Sequence, residues 1–92
     1  MSNVTAVHTD ATGTLATGRR QLRGYHTISG GTAGDVIFRD GGASGTVRLQ
    51  FNIGTGTQPI VMEIPDDGIL FTTDVHVILP ATAKTTAFLQ VV

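Results

Sequence analysis

Few side chains in this sequence could perform acid–base or metal chemistry, and those few are scattered. His8, His26 and His76 are far apart along the chain and lack the close pairing of common zinc sites. His76 falls at an outward position of its predicted strand, and we interpret it as an ordinary surface histidine. Asp66 and Asp67 are adjacent, but catalytic carboxylates usually come from separate elements, and the Pro-Asp-Asp-Gly segment that holds these two favours a turn. The chain contains no cysteine, which excludes thiolate ligands and disulfides. The sequence therefore predicts neither a metal site nor an acid–base site.

Two glycine-rich segments, residues 30–34 (GGTAG) and 41–45 (GGASG), are similar to phosphate-binding loops in composition only. A P-loop needs Gly-Lys-Ser/Thr at the start of a helix, and Lys84-Thr85 has no glycine before it. Ser44 lies outside the G-x-S-x-G motif of a nucleophile elbow. We interpret both segments as hairpin turns and expect a non-enzymatic protein without cofactors.

One basic cluster stands out, formed by Arg19, Arg20 and Arg23. Tyr25 is the one aromatic residue close to it in sequence, and the net charge is −1, so nucleic-acid binding is not indicated. The cluster fits either a solvated face or ion pairs with an acidic neighbour. Residues 1–34 carry a net charge of +2 and residues 35–92 one of −3, which is compatible with association between copies. We predict that these four residues take part in protein contacts.

The composition indicates the elements that must position these residues. Thr, Val and Ile make up 31 of the 92 residues, whereas the helix formers Glu, Lys, Met and Gln are scarce. No apolar run reaches the ~18 residues of a membrane span, and the first ten residues lack the features of a signal peptide. The sequence therefore predicts an all-β protein without a membrane segment or a signal peptide.

Two regions differ in their pattern. Residues 1–18 are small and polar, which predicts an extended N-terminal arm, either a frayed tail or a segment that orders against a neighbouring subunit, with one short strand at 4–8. Residues 19–92 alternate apolar and polar positions between turn signals, which predicts one antiparallel β-sandwich or jelly-roll-like barrel of about seven to eight strands. The predicted strands of this domain span residues 21–29, 35–39, 46–53, 59–64, 69–72, 74–79 and 86–92.

Strand alternation also predicts which side chains are buried. The expected core between two sheets comprises Val47, Leu49, Phe51, Ile60, Met62, Ile69, Phe71, Val75, Val77 and Leu89. Apolar residues also fall on the opposite strand faces, at Ile37, Val61, Ile78, Phe88 and Val92. They lie either at edges and under loops or on an association surface. On the second interpretation the protein is a homo-oligomer, and a trimer is favoured by analogy alone.

Three segments carry a resemblance to a known class of proteins. They are a Gly-rich step into a V-x-F-x-D strand at 36–40, a Pro-acidic-turn-Gly-Ile-x-Phe segment at 65–71, and a T-x-x-x-x-V-x-L strand at 72–79. Together with the flanking sequence from residue 24 to residue 91, they resemble small virion-associated structural proteins of tailed bacteriophages, of the marine and cyanobacterial type. The resemblance implies a non-enzymatic protein that is made in the bacterial cytoplasm and incorporated into the virion.

The resemblance implies other virion proteins as partners, either the major capsid protein or tail proteins. A capsid decoration protein that docks through its β body and N-terminal arm is the leading hypothesis, because the chain is small. A tail or neck component is the first alternative. A host-glycan-binding module is the second, and it would depend on exposed aromatic rings, for which Tyr25 and Phe88 are the remaining candidates.

Overall fold

The structure is a computed structural model that describes residues 4–56, 58–66 and 68–91. Within these ranges the chain forms strands and turns and no helix, so the predicted all-β class is confirmed, and no helix that could cross a membrane is found there. The described residues form nine strands: β1 (Val4–Thr9), β2 (Gly13–Thr17), β3 (Arg20–Ile28), β4 (Gly34–Asp40), β5 (Thr46–Ile53), β6 (Ile60–Glu63), β7 (Ile69–Phe71), β8 (Asp74–Ile78) and β9 (Lys84–Val91).

The strands form two antiparallel sheets. Sheet 1 has the order β1-β9-β3-β6, and β7 pairs with β3 on the same side as β6. Sheet 2 has the order β2-β8-β4-β5. Along β3, the strand β6 covers Gly24 to Thr27 and β7 covers Arg20 to Leu22, so this edge of sheet 1 consists of two short strands. The turn between them is closed by a hydrogen bond from the Gly68 amide to the Pro65 carbonyl, as the sequence predicts.

One hydrophobic core lies between the sheets, as in a small β-sandwich. It combines Leu22 and Leu89 of sheet 1 with Phe38 and Val77 of sheet 2, all of them buried. Phe71 and Val75 are buried there too, as predicted. Both sheets contribute because each alternates one buried and one outward residue along its strands.

The segment predicted as an N-terminal arm is part of both sheets instead. β1 pairs with β9 along its whole length, and β2 pairs with β8. The side chains of Val7 and Leu15 pack against the core. Small, polar residues are sufficient here because a paired neighbour satisfies the backbone N–H and C=O groups, which is a contribution independent of side-chain size. β2 is the strand that the sequence pattern did not indicate.

Two expected core residues, Val47 and Met62, are exposed. In the β4–β5 pair, Phe38 lies opposite Leu49 whereas Arg39 lies opposite Val47, so Arg48 is an extra residue in a β-bulge. The bulge turns Val47 outward while Leu49, Phe51 and Ile53 keep facing the core. Met62 faces inward opposite Tyr25, but β6 is an edge strand and leaves it 48% exposed. Leu49, Phe51, Ile60 and Ile69 are partly buried.

Candidate association surface

Exposed apolar side chains are concentrated on sheet 1. Of the large apolar residues that are exposed within the described ranges, one, Val47, belongs to sheet 2. The others belong to the strands of sheet 1 and are Val4, Val61, Met62, Leu70 and Val91. Exposed apolar residues on one face of a sheet mark association sites, but Met62 and Val91 lie on the inner side of their strands.

The register of β3 with its neighbours shows which of these residues share the outer face of sheet 1. Gly24 lies opposite Phe88 on one side and opposite Glu63 on the other, and His26 lies opposite Val61. Because Tyr25 faces the core, its neighbours Gly24 and His26 and the residues paired with them face outward. Val4 of β1 faces outward as well, since it lies opposite Gln90, two residues from Phe88.

Gly24 lies close to both β6 and the Phe88 ring. A Cβ atom added to Gly24 would be 3.4 Å from the Phe88 Cδ2 atom and 2.7 Å from the Met62 carbonyl oxygen. The second distance is too short for any real Cβ atom. A side chain at position 24 would therefore require β6 to move.

A second β-bulge presents Arg23 on the outer face. Leu22 pairs with Leu89 and Gly24 pairs with Phe88, so Arg23 is the extra residue. Its Nη1 donates a 2.6 Å hydrogen bond to Gln90 Oε1, whereas its buried Nε has no hydrogen-bond partner among the described residues. Bulges commonly re-aim a side chain in this way.

Arg23 and Glu63 lie in one groove of about 340 Å³. Its other lining residues are the apolar Val4, Ile64 and Phe88. The two charges are not paired with each other: the ion pair found in the described part of the chain joins Arg48 to Asp40, at 3.2 Å. The groove therefore offers one positive and one negative group on an apolar floor.

Polar side chains on the outer face of sheet 2 form hydrogen bonds with one another. The amides of Gln50 and Asn52 donate to the Asp35 carboxylate at 2.7 Å and 2.9 Å. These bonds, that from Asn52 first, lower the pKa of Asp35. Ile37 lies directly opposite Ile78, and both are half-buried. This face is less suited to association than that of sheet 1.

His76 was interpreted as an ordinary surface histidine, and the structure corrects this. Its side chain faces outward on β8 yet is only 8% exposed, and its Nδ1 lies 3.1 Å from the Thr14 hydroxyl. The residue opposite it on β4 is Arg39. The pairing of β2 with β8, which the sequence did not indicate, explains why a polar outward residue is covered.

The three arginines predicted to make protein contacts do not form one patch. Arg20 lies opposite Phe71 and Val91 and so faces the inner side of β3, whereas Arg23 faces the outer side. Arg19 is exposed in the turn before β3. The cluster in the sequence is therefore divided between two faces and a turn.

The apolar residues predicted for an association surface are divided between the two sheets as well. Val61 is 63% exposed and Phe88 is half-buried, and both lie on the outer face of sheet 1. Ile37 and Ile78 lie on sheet 2. The prediction for Val92 falls on a position outside the described residues.

Tyr25 is buried, which corrects its interpretation as a contact residue. Its ring stacks on Phe51 with centroids 4.5 Å apart and is tilted against Phe38 at 6.2 Å. Burial raises the pKa of its phenol. The bulge at Arg23 explains this position, since it places Leu22 and Tyr25, three residues apart, on the same side of β3.

Glu63, Val4 and Gly24 belong to the surface but were not singled out from the sequence. An acidic residue at the end of β6 and a glycine within β3 are each common features of strands, so neither carries a signal by itself. Their significance depends on the strand register, which places both beside Phe88 and Arg23.

No group of three or more His, Asp or Glu side chains that could hold a metal ion occurs in residues 4–56, 58–66 and 68–91.

Another groove, of about 350 Å³, lies where the sheets separate between β1 and β2, and Val7, Leu15, Arg20 and Val91 are among its lining residues.

Comparisons of the chain with models of protein families, with curated proteins and with solved structures gave no match.

Proposed function

We propose that this chain is a non-enzymatic structural protein of a tailed-phage virion and that it decorates the capsid. In this role it binds other proteins through apolar side chains, single charges and strand edges on its surface. The resemblance of residues 24–91 to virion-associated proteins supports this role, and so does the two-sheet body with its exposed apolar residues.

The observation that carries the proposal is the open edge of the two sheets between β1 and β2. Val7 and Leu15, which pack against the core, reach the surface in this groove, and Val91 is 58% exposed at its end. Arg20 adds a positive charge to the lining. An apolar floor with a basic rim fits a shell surface that presents apolar and acidic side chains.

In this proposal the N-terminal segment binds the capsid as two paired strands, β1 and β2, and not as a free arm. The segment that was expected to reach out to the capsid provides both strands that border the groove. Docking then uses a preformed edge and does not require a disordered segment to become ordered, which lowers the entropic cost of binding.

Tail or neck attachment is the alternative that the same surface would serve, and copy number separates the two. The glycan-binding hypothesis loses its main support, because Tyr25 is buried and stacked on Phe51. Sugar sites rely on exposed aromatic rings, and Phe88 alone does not provide a platform.

The experiment uses virions that contain the protein and particles made without it. Quantitative mass spectrometry of the virions should find hundreds of copies per particle, whereas a small multiple of three or six would contradict capsid decoration and favour the tail or neck. Absence of the protein from purified virions would overturn the proposal.

Binding of the purified chain to the depleted particles tests the groove. Arg20→Gln should weaken binding at low salt and have a smaller effect at high salt, because exposed charges are screened. Lys84→Gln is the matched control, since Lys84 begins the strand β9 that ends at Val91 beside Arg20. Equal effects of both substitutions would show that the groove is not the docking site.

A further inference from the structure

We propose that the outer face of sheet 1 binds a second copy of this chain around a two-fold axis, with Arg23 of each copy contacting Glu63 of the other. This inference is independent of the virion role, because it concerns the protein alone in solution. Its starting point is the groove that holds Arg23 and Glu63 on an apolar floor without an ion pair between them.

The distribution of charge in the groove favours a second copy over an unrelated partner. A two-fold interface brings the same patch of both subunits together, so the patch must be complementary to itself. A groove with one guanidinium and one carboxylate meets this requirement, whereas a surface for a charged partner of another kind would carry a single sign. The guanidinium of Arg23 forms no ion pair among the described residues, so it can bind an incoming carboxylate.

Strand geometry indicates that a single axis satisfies the polar and the apolar contacts together. Neighbouring strands are about 4.8 Å apart, and successive outward residues of one strand are about 6.6 Å apart. A two-fold axis in the interface, midway between Arg23 and Glu63, sets each charge opposite its counterpart. The same rotation carries the Phe88 of one copy towards the β6 strand of the other, which holds Val61.

The dimensions of the molecule are sufficient for such an interface. The chain forms a slab with extents of 36 × 28 × 17 Å, and the outer face of a sheet is one of its broad sides. A stable interface of standard size takes about 800 Å² from each partner. Val61, which is strongly exposed, and Phe88, which is half-buried, supply apolar contacts near the proposed axis.

The test is the mass of the full-length chain by light scattering or sedimentation over ~1–500 μM. The wild-type chain of 9.6 kDa should form a species of twice that mass. Arg23→Glu and Glu63→Arg should each weaken dimerisation by at least about tenfold, since each places like charges together at two symmetric contacts. Arg19→Glu and Asp10→Arg are controls with the same changes in net charge and should leave the dimer intact.

Mixing the two single variants gives the decisive result. Chains with the substitution Arg23→Glu carry only carboxylates at the two positions, and chains with Glu63→Arg carry only cations, so each should be monomeric alone and the mixture should dimerise. Restoration in the double variant R23E/E63R should follow the same logic. Failure of the mixture to dimerise, although both variants fold by circular dichroism, would overturn the proposed contact.

Val61→Asp tests the apolar contacts of the proposed interface and leaves the hydrogen bond between Arg23 and Gln90 in place. It should abolish the dimer, whereas Val47→Asp, at an exposed valine of sheet 2, should not. A wild-type chain that stays monomeric over the whole range, or forms the trimer expected from analogy, would contradict the two-fold proposal. An effect of Val61→Asp on particle binding alone would assign this face to the capsid instead.

Discussion

Asp40 and Asp74 stabilise each other's neighbouring turns: Asp40, at the end of β4, binds the turn before Asp74, and Asp74, at the start of β8, binds the turn after Asp40. The Asp40 carboxylate accepts hydrogen bonds from the backbone amides of Thr72 and Thr73, at 2.9 Å and 2.8 Å, and from the Thr72 hydroxyl. The Asp74 carboxylate accepts from the amides of Gly41 and Gly42, at 2.9 Å and 3.0 Å. The β4–β5 turn and the β7–β8 turn are thus joined by two reciprocal side chain–backbone contacts.

Removing the Asp40 carboxylate should destabilise the fold. Asp40 is buried, and Asp40→Ala leaves its amide donors without partners, for which we expect a loss of about 2–3 kcal/mol in the free energy of unfolding. Urea denaturation measures the loss. Asp35→Ala is the control, since Asp35 is exposed and bonded only to side chains, and it should cost less than about 1 kcal/mol. Equal losses would contradict this interpretation of Asp40.

Stability should fall in acid because of the same carboxylate. Hydrogen bonds from Thr72 and Thr73 hold the pKa of Asp40 well below its usual value. A carboxyl whose pKa is lower in the folded than in the unfolded state contributes stability above its unfolded pKa, and that stability is lost as the pH falls towards the folded pKa. Unfolding measured from about pH 5 to pH 2 should show this decline, and Asp40→Asn should flatten it. An unchanged slope in Asp40→Asn would assign the decline to other carboxyls.

The loss in the free energy of unfolding on truncating a core phenylalanine should depend on how deeply its ring is buried. Phe38 is fully buried, and Phe38→Ala should cost about 3–5 kcal/mol. Phe51 is half-buried, so Phe51→Ala should cost less, about 2 kcal/mol, part of it from the lost stacking with Tyr25. Chemical denaturation of both variants gives the comparison. A larger loss for Phe51→Ala would contradict the placement of the core.

Gly24 should tolerate no side chain. Gly24→Ala brings a Cβ atom against the Met62 carbonyl oxygen, which requires β6 to move and should cost about 1–3 kcal/mol. Gly13→Ala is the matched control in a strand, because nothing lies within 4 Å of a Cβ atom there. The melting temperature should fall for the first variant and change little for the second.

Deletion of residues 1–18 should impair folding, contrary to the expectation for a free arm. It removes β1 and β2, with Val7 and Leu15, from the two sheets and leaves core residues such as Leu89 open to water. We expect loss of cooperative thermal unfolding. A truncated chain that melts as the full-length chain does would show that the N-terminal strands contribute little.

The alternation of Leu49, Phe51 and Ile53 was sufficient to predict a strand and its inward face. The same alternation misplaced Val47, because a bulge shifts the phase by one residue and leaves no periodic signal in the sequence. Tyr25 was misplaced for the same reason by the bulge at Arg23. Arg23 and Phe88 were predicted to take part in association, but their grouping with Glu63 was not, because it depends on the strand order that brings three strands together.

The divided edge of sheet 1, where β6 and β7 share β3, bears on how the protein behaves at high concentration. Endless growth by strand addition requires a usable strand at both edges of a sheet. β1 is continuous, but the opposite edge is interrupted by the turn that contains Pro65 and Gly68. Edge-to-edge pairing of copies through sheet 1 therefore ends in a closed pair and does not propagate into a fibril.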